Sequence, residues 1–473
     1  MADIRKLTAL EHHFTRLLAR RHTRSLLRRL TTLPPNSVDF SSNDYLSLST
    51  HPDLHASFLS LLQSPSPSQS SSSSTSLSPS SSSTTTTTTT TTSSSSSPPL
   101  GSRGSRLLDG NTPLATHLET LIPAHHRAPA GILFNSGFEA NVGIFSSLPQ
   151  PADVIVFDAL IHASVHDGMR LSRVPATHRM PFAHNSVDGL RRVLEAAVRE
   201  VPGVREGTAN VFIGVEAVYS MDGDVAPLVG MLDVVDDVLP RGNGYVVVDE
   251  AHATGVFGEL GRGLVCELGV EDRVFARVVT FGKALGAQGA IVLCTPTTRS
   301  YLINYARTLI YTTAPSHPSL ALIKATYDAL LAGKTQPLLT HLRTLTLRTH
   351  SLLHALSPTP LIALNPIPET HSLTPIIPIF TPHPRSLANH CQARGYMVRP
   401  IVAPTVPRGA ERVRVCLHAG NTFAEVEGLV RAVREWVEGM VREEGARDAE
   451  IRTGTTRQVG GGVRAAAMEK AKL

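Results

Sequence analysis

Short apolar runs alternate with longer amphipathic stretches along most of the chain, and this alternation predicts an α/β fold. Strands of a large sheet are predicted at residues 131–134, 153–157, 211–215, 246–248, 274–279 and 289–294, after a short strand near residue 38. Residues 374–380, 396–402 and 412–417 predict strands of a second, smaller sheet. Helices are predicted at residues 7–30, 51–62, 113–122, 318–356 and 422–443.

One segment interrupts this pattern, because residues 64–99 are almost entirely serine, threonine and proline. Such a segment cannot bury enough apolar surface to offset its chain entropy, so we expect a disordered surface insert. The predicted organisation has four parts. They are a helical arm and strand at 1–48, a large domain at 49–315, a small C-terminal domain at 316–444 and a flexible tail at 445–473.

Composition narrows the class of protein. The 473 residues are 41% hydrophobic with a mean hydropathy of +0.01, which is typical of a globular protein. The charge of +5 is mild, and aromatic residues are only 5% of the chain, so we expect no nucleic-acid binding despite an arginine-rich stretch at 16–29. No apolar run approaches the roughly 20 residues of a membrane-spanning helix, so we expect no membrane binding. The four cysteines match no metal motif, and we interpret them as reduced thiols in a non-secretory compartment.

Candidate chemistry begins with Lys283, which stands among small residues directly after the strand at 274–279. Apolar surroundings favour the neutral amine, and a neutral amine can form a Schiff base with a carbonyl. Asp249 ends the strand at 246–248, and His252 follows three residues later. A lysine and an aspartate at the carboxyl ends of neighbouring strands are the two groups that pyridoxal phosphate (PLP) chemistry requires. The alternatives are a lysine reaching to solvent, a helix-capping aspartate and a histidine satisfied in a turn.

Two further strand ends carry candidate ligand contacts. The strand at 131–134 runs into a Ser-Gly junction before a helix, where free amides and the helix dipole suit a phosphate. The glycine-rich loop at 101–111 also lets backbone approach a ligand closely. His162 follows the strand at 153–157, where its imidazole could stack on a cofactor ring or simply pack in a loop.

Seven stretches in this order resemble the α-oxoamine synthases, a family of PLP enzymes. They are residues 40–46 (FSSNDYL), 101–111 (GSRGSRLLDGN), 135–141 (NSGFEAN), 158–164 (DALIHAS), 218–227 (VYSMDGDVAP), 248–263 (VDEAHATGVFGELGRG) and 280–290 (TFGKALGAQGA). The resemblance covers most of residues 7–440. It implies PLP-dependent transferase fold type I, as in aspartate aminotransferase, with a large, mostly parallel-sheet domain and a smaller α/β C-terminal domain.

The resemblance implies three catalytic residues. Lys283 would bind PLP covalently and then act as the base, Asp249 would pair with the pyridine nitrogen, and His162 would stack on the ring. His252 would bond the phenolic oxygen of PLP, and Ser220 lies in the family's ring-binding turn.

Further contacts are implied around the phosphate and the substrates. Gly137, Phe138 and Thr280 would contact the phosphate. Members of the family are homodimers, and Thr312 or Thr313 would reach the phosphate in the partner subunit. Asn43, Arg414 and an N-terminal arginine would lie near substrate carboxylates, with Arg28 as the candidate and Arg29 or Arg24 as alternatives.

The implied reaction is the decarboxylative condensation of an amino acid with an acyl-CoA. Among family members, the chain most resembles those that join L-alanine to pimeloyl-CoA. Glycine- or serine-using members are the first alternative, and a non-catalytic paralogue that acts as a binding subunit is a more distant one.

One position departs from the family pattern. Bacterial members carry an arginine two residues before the Pro-Thr-Val-Pro run, and Val402 stands there in this chain. Arg399, Arg412 and Arg414 lie nearby in the sequence. The sequence therefore does not decide which residue binds the carboxylate of the amino-acid substrate.

The C-terminal Ala471-Lys472-Leu473 is close to the Ser-Lys-Leu peroxisomal address. Peroxisomes produce medium-chain acyl-CoAs, which would supply the implied substrate. We therefore expect a peroxisomal location through the import receptor, with the cytoplasm and an ordinary C-terminus as the alternative.

Overall fold

The computed structural model describes residues 8–24, 26–63, 100–357, 359–366 and 373–453. The insert predicted at 64–99 and the C-terminal tripeptide lie outside these residues. The strands are β1 (Val38–Asp39), β2 (Ala130–Phe134), β3 (Val154–Asp158), β4 (Arg179–Phe182), β5 (Val211–Glu216), β6 (Gly244–Asp249), β7 (Ala276–Thr280), β8 (Ala290–Cys294), β9 (Ala363–Leu364), β10 (Ile376–Phe380), β11 (Tyr396–Met397), β12 (Arg399–Ile401) and β13 (Arg412–Cys416). The helices are α1 (Ala9–Thr23), α2 (Pro52–Gln63), α3 (Pro113–His125), α4 (Gly137–Ser147), α5 (Ala163–Leu171), α6 (Val187–Glu200), α7 (Pro202–Glu206), α8 (Leu228–Val238), α9 (Leu264–Leu268), α10 (Pro296–Tyr305), α11 (Arg307–Ile310), α12 (His317–Leu331), α13 (Gln336–His354), α14 (Pro384–Ala393) and α15 (Phe423–Thr453).

The large sheet has the strand order β2-β8-β7-β6-β5-β3-β4. Its strands run parallel except β8, which is antiparallel to both of its neighbours. Strands β3, β5, β7 and β8 are buried along their whole length, because helices cover both faces of the sheet. The carboxyl ends of the parallel strands therefore meet at one edge, where α/β proteins place their ligands.

Alternate side chains of one strand pack into two separate layers of the hydrophobic core, one on each face of the large sheet. In β3, Ile155 and Phe157 pack with the cluster under α4 and α5, while Val154 and Val156 pack with the cluster under α6 and α8. Successive side chains of a strand point to opposite faces, so a strand that is apolar at every position supplies both layers.

The small sheet is antiparallel, with the order β12-β13-β10-β9. The segment after α1 belongs to this part of the molecule, because β1 pairs in parallel with β11. Two backbone hydrogen bonds extend the connection, from Cys416 N to Phe40 O at 2.9 Å and from Ala419 N to Tyr45 O at 2.7 Å. Residues 38–46 are thus held against β13, at the boundary with the large domain.

Several element boundaries differ from those predicted. Helix α1 ends at Thr23 rather than residue 30, and the long helix predicted at 318–356 is two helices, α12 and α13, separated by a turn in which Gly333 has a φ of +70°. The strand predicted at 396–402 is split into β11 and β12, and strand β4 was not predicted. Helix α15 continues to Thr453, so the first nine residues of the predicted flexible tail are helical.

Two expectations concern the chain as a whole. Within the described ranges, no helix combines the length and the apolar character that a bilayer crossing requires. The four cysteines are free thiols, as expected, and Cys294, Cys391 and Cys416 are buried.

Candidate active site

A cavity of about 330 Å³ lies at the carboxyl edge of the large sheet. The ends of β5, β6 and β7 and the start of α4 form its walls. The predicted cofactor residues that line it are Gly137, Phe138, His162, Asp249, His252, Thr280 and Lys283. Parallel strands thus bring together side chains that are widely separated in the sequence.

Lys283 lies in the loop between β7 and β8, and its Nζ is 2.9 Å from His252 Nε2. Burial lowers the pKa of the Lys283 amine to about 8, although the negative charge of Asp249 opposes this shift, and Arg414 adds to it. About a tenth of the amine is therefore neutral at pH 7, far more than for an unperturbed lysine, and nucleophilic attack and proton abstraction both require the neutral form.

A chain of hydrogen bonds leads from this lysine to the small domain. His252 Nδ1 is 2.7 Å from the hydroxyl of Tyr45, which donates to Asn43 Oδ1 at 3.2 Å. Arg414 donates to the same Asn43 oxygen. Burial and the charges of Lys283 and Arg414 hold the pKa of His252 well below its usual range, so its imidazole is neutral. Asn43 and Arg414, both predicted near substrate carboxylates, are therefore in contact beside the cofactor cavity.

A second network of hydrogen bonds fixes Asp249 and His162. Asn141 Nδ2 donates to Asp249 Oδ2 at 2.7 Å and to Ser164 Oγ at 3.0 Å. The Ser164 hydroxyl is 2.7 Å from His162 Nδ1. The other Asp249 oxygen accepts from the backbone amide of Ala251 at 2.9 Å. Asn141 and Ser164 thus link the Asp249 carboxylate to the His162 imidazole.

Glu216 adds a second acid to the cavity at the end of β5. Burial, followed by the nearby charge of Asp249, raises the pKa of the Glu216 carboxyl well above its usual range. Glu216 is therefore protonated, which leaves Asp249 as the anion that faces Lys283.

The start of α4 suits a phosphate group. Ser136 caps the helix by accepting from Glu139 N at 3.1 Å, and the first helical amides, those of Gly137 and Phe138, have no acceptor within the helix. A Cβ atom at Gly137 would lie 2.4 Å from Thr280 Cγ2, so a side chain there would close the gap. The Thr280 hydroxyl oxygen is buried without a hydrogen-bond partner among the described residues. An anion at this position would satisfy both the amides and the hydroxyl.

Some predicted residues lie elsewhere. Ser220 follows β5 in the turn beyond Tyr219 and is not among the residues that line the cavity. Arg28 and its alternatives Arg24 and Arg29 are all exposed and line no part of the cofactor cavity, and Arg24 lines a separate groove in the small domain. Thr312 and Thr313 both accept from Asn135 Nδ2, at 3.1 and 2.8 Å, at the phosphate end of the cavity.

Arg412 and Arg414, two arginines near Val402 in the sequence, differ in their hydrogen-bond partners. Arg412 is buried and donates to Asp222 and to the backbone oxygen of Ala410, so its guanidinium is engaged. Arg414 keeps a buried Nε without a partner among the described residues. Of the two, Arg414 is the guanidinium with remaining donor capacity beside the cavity.

Sequence reasoning assigned no role to four residues of the site: Tyr45, Asn141, Ser164 and Glu216. Tyr45, Asn141 and Ser164 lie inside stretches that carry the family resemblance, so the signal was present. Their roles became visible only with the contacts, because Asn141 and Asp249 are 108 residues apart in the sequence.

Comparison with known proteins identifies the family. A model of the family described as "Aminotransferase class I and II" matches residues 36–433. The chain belongs to this family. It is 51% identical over 433 residues to 8-amino-7-oxononanoate synthase of Emericella nidulans, a match that covers 90% of this chain and 95% of the relative. It is 36% identical over 448 residues to the aminoacyl transferase sphA of Aspergillus fumigatus, over 91% and 88% of the two chains.

A solved structure of SPT with a PLP internal aldimine superposes with a TM-score of 0.73 at 22% identity, covering 91% of this chain and 99% of the other. The predicted fold type I architecture is thereby confirmed. Within the aminotransferase family, the chain is an α-oxoamine synthase, a PLP-dependent enzyme that transfers acyl groups. The cavity fits this cofactor, since it offers a phosphate cradle at α4, an amine at Lys283 and an anion at Asp249.

Proposed function

We propose that the enzyme condenses L-alanine with pimeloyl-CoA and forms 8-amino-7-oxononanoate, CoA and carbon dioxide. The observation that carries this proposal is the 51% identity to 8-amino-7-oxononanoate synthase of Emericella nidulans, which extends over 95% of that relative. The intact cavity around Lys283 and Asp249 supports a catalytic protein rather than a non-catalytic binding subunit.

Each residue of the cavity has a separate proposed role in the reaction. Lys283 would hold PLP covalently, Asp249 would lie at the pyridine nitrogen, and His162 would stack on the ring. Bound PLP supplies an electron sink for negative charge that develops at the amino-acid α-carbon. Lys283, once released by the incoming amino acid, removes the α-proton, and its lowered pKa suits this role. His252 stays neutral, and its contact with Tyr45 holds the imidazole beside Lys283.

Arg414 is the proposed anchor for the amino-acid carboxylate. Its contact with Asn43 orients the guanidinium, and its free Nε leaves a donor for a second acceptor. A planar guanidinium matches a carboxylate in a bidentate arrangement. A chain of hydrogen bonds through Asn43, Tyr45 and His252 links Arg414 to Lys283, which supports this proposal.

A substrate panel tests the proposed function. CoA release is measured with L-alanine, glycine and L-serine, each combined with pimeloyl-CoA, octanoyl-CoA and palmitoyl-CoA. We expect the highest kcat/KM for L-alanine with pimeloyl-CoA, and 8-amino-7-oxononanoate as the product by mass spectrometry. Turnover with glycine or serine, and none with L-alanine, would instead assign the enzyme to another branch of the family.

The second candidate function is that other branch, an α-oxoamine synthase that uses glycine or serine with a different acyl-CoA. It is favoured by the 36% identity to the aminoacyl transferase sphA of Aspergillus fumigatus. The site residues described above are common to both candidates, because they act on the cofactor and on a carboxylate that all amino acids share. The panel separates the two candidates directly.

We further propose that the enzyme is a homodimer. Apolar side chains near the phosphate end of the cavity are exposed in the single chain, with Leu108 at 78% and Tyr311 at 71%. Neighbouring apolar residues of this size are typical of a covered interface. Light scattering should give twice the chain mass of 50.7 kDa. A monomer mass at micromolar concentration would contradict the proposal.

We also propose that the enzyme is peroxisomal, on the strength of the C-terminal Ala471-Lys472-Leu473. A fluorescent protein fused to the N-terminus, with the C-terminus free, should colocalise with a peroxisomal marker. Deletion of Leu473 should make the fluorescence diffuse. Diffuse fluorescence of the intact fusion would contradict the proposal.

A further inference from the structure

A second cavity, of about 1070 Å³, lies in the small domain against the segment that follows α1. Its walls include Arg24, Leu26, Leu361, Phe380, Val402 and Arg408. It forms where β10 and β12 end and β13 begins, so three neighbouring strands contribute to one end of it. None of the residues that line this groove also lines the cofactor cavity.

The register of the small sheet relates this groove to the proposed substrate anchor. In the pairing of β12 with β13, Arg399 faces Arg414 and Ile401 faces Arg412. Val402 and Glu411, which line the groove, therefore lie at the end of this strand pair, and Glu411 is three residues from Arg414. Three residues of extended chain span about 10 Å. The backbone at this end of the groove therefore lies within about 10 Å of the backbone of Arg414, the residue proposed to hold the amino acid.

The lining combines apolar walls with an excess of positive charge. Leu26, Leu361, Phe380 and Val402 are apolar, while the cationic residues of the lining are Arg24, Arg385 and Arg408, against one acid, Glu411. The Glu411 carboxylate already accepts from Gly409 N at 2.7 Å, so it is turned toward its own loop. Apolar walls with cations beside them suit an aliphatic chain that ends in an anion.

The product of the proposed reaction makes such a site necessary. 8-Amino-7-oxononanoate carries a carboxylate at the end of its chain remote from the amine, so the acyl group that forms it has a distal carboxylate. In the cofactor cavity, Lys283 is the lining residue with a strongly basic side chain, and it is committed to the cofactor and to proton transfer. Arg412 is engaged by Asp222, and Arg414 is assigned to the amino acid. Of the arginines that line the groove, Arg24 and Arg408 are the candidates for the distal carboxylate.

We infer that this groove receives the acyl chain of the thioester substrate and that Arg408 pairs with the distal carboxylate of that chain. This inference rests on the proposed function, and it explains how the enzyme would select a thioester with a distal carboxylate. Arg408 lies on the loop between β12 and β13, and Arg24 at the end of α1 lines the same groove, where it would add a second positive charge.

The test compares two thioesters that differ only at the distal end, pimeloyl-CoA and heptanoyl-CoA, with full-length wild-type protein and the Arg408→Ala variant. We expect the variant to raise the KM for pimeloyl-CoA about tenfold, as loss of a hydrogen bond to a charged group does, with little change in kcat. The KM for heptanoyl-CoA should stay unchanged. Arg24→Ala should have a smaller effect of the same kind, and Arg408→Lys should retain part of the preference.

Arg431→Ala is the matched control, because Arg431 is an exposed arginine on α15 away from both cavities. An equal rise in KM for both thioesters would overturn the inference, because the groove would then recognise the CoA moiety. Unchanged KM values in Arg408→Ala and in the double variant with Arg24→Ala would also overturn it. If wild-type protein shows no preference for pimeloyl-CoA over heptanoyl-CoA, the proposed function itself fails, and this result is distinct from the other two.

Discussion

Alanine at position 283 is expected to lower kcat by at least ~10²–10⁴-fold, the usual contribution of a positioned acid–base residue, and to abolish covalent attachment of PLP. Lys283 supplies the only amine that lines the cofactor cavity among the described residues. Its lowered pKa of about 8 makes it both a nucleophile and a base near neutral pH. The measurement is CoA release with L-alanine and pimeloyl-CoA, together with the absorbance spectrum of the protein in excess PLP.

Lys334→Ala provides the matched control, because Lys334 is an exposed lysine in the turn between α12 and α13. Its replacement should leave both activity and absorbance unchanged. Thermal unfolding of both variants shows whether each protein is folded. A folded Lys283→Ala protein that keeps wild-type turnover would show that the chemistry lies elsewhere.

Asparagine at position 249 is expected to lower kcat by ~10²–10³-fold, as removal of a preorganised electrostatic partner typically does. The change keeps the shape of the side chain but removes the negative charge that would face the pyridine nitrogen of PLP. Without that charge the ring nitrogen loses its proton and the cofactor becomes a weaker electron sink. The measurement is kcat at saturating L-alanine and pimeloyl-CoA, with PLP content determined on the same sample.

Thermal unfolding separates this effect from a loss of structure. Both Asp249 oxygens accept hydrogen bonds, from Asn141 Nδ2 and from the Ala251 amide, and an asparagine can accept only one of them, so we expect a lower melting temperature but a folded protein at assay temperature. Asp237→Asn, at an exposed ion pair with Arg191, is the matched control and should leave kcat unchanged. Wild-type kcat in a folded, PLP-loaded Asp249→Asn protein would contradict the assigned role.

The cluster around the cofactor was predictable because its residues follow strand ends. Asp249, Thr280 and Lys283 each lie at or directly after a short apolar run, and parallel strands align their carboxyl ends. His162 likewise follows the carboxyl end of β3, and Gly137 follows the carboxyl end of β2. Local sequence was therefore sufficient to bring these five residues to one edge of the sheet, and the structure places all of them in one cavity.

Other features depend on contacts that no local pattern contains. Arg28 is exposed and lies five residues after the end of α1 at Thr23, whereas the apolar spacing continued to residue 30. The choice between Arg412 and Arg414 required their partners, Asp222 and Asn43, which lie 190 and 371 residues away in the sequence. Tertiary contacts of this length decide which of several similar side chains reaches a site.

Mapping the lysine that binds PLP tests the central claim most directly. The chain contains six lysines, Lys6, Lys283, Lys324, Lys334, Lys470 and Lys472. The wild-type protein is loaded with PLP, reduced with borohydride so that the cofactor is fixed to the amine, digested and examined by mass spectrometry. We predict a single pyridoxyl-phosphate adduct on the peptide that contains Lys283. An adduct on any other lysine, with Lys283 unmodified, would contradict the account.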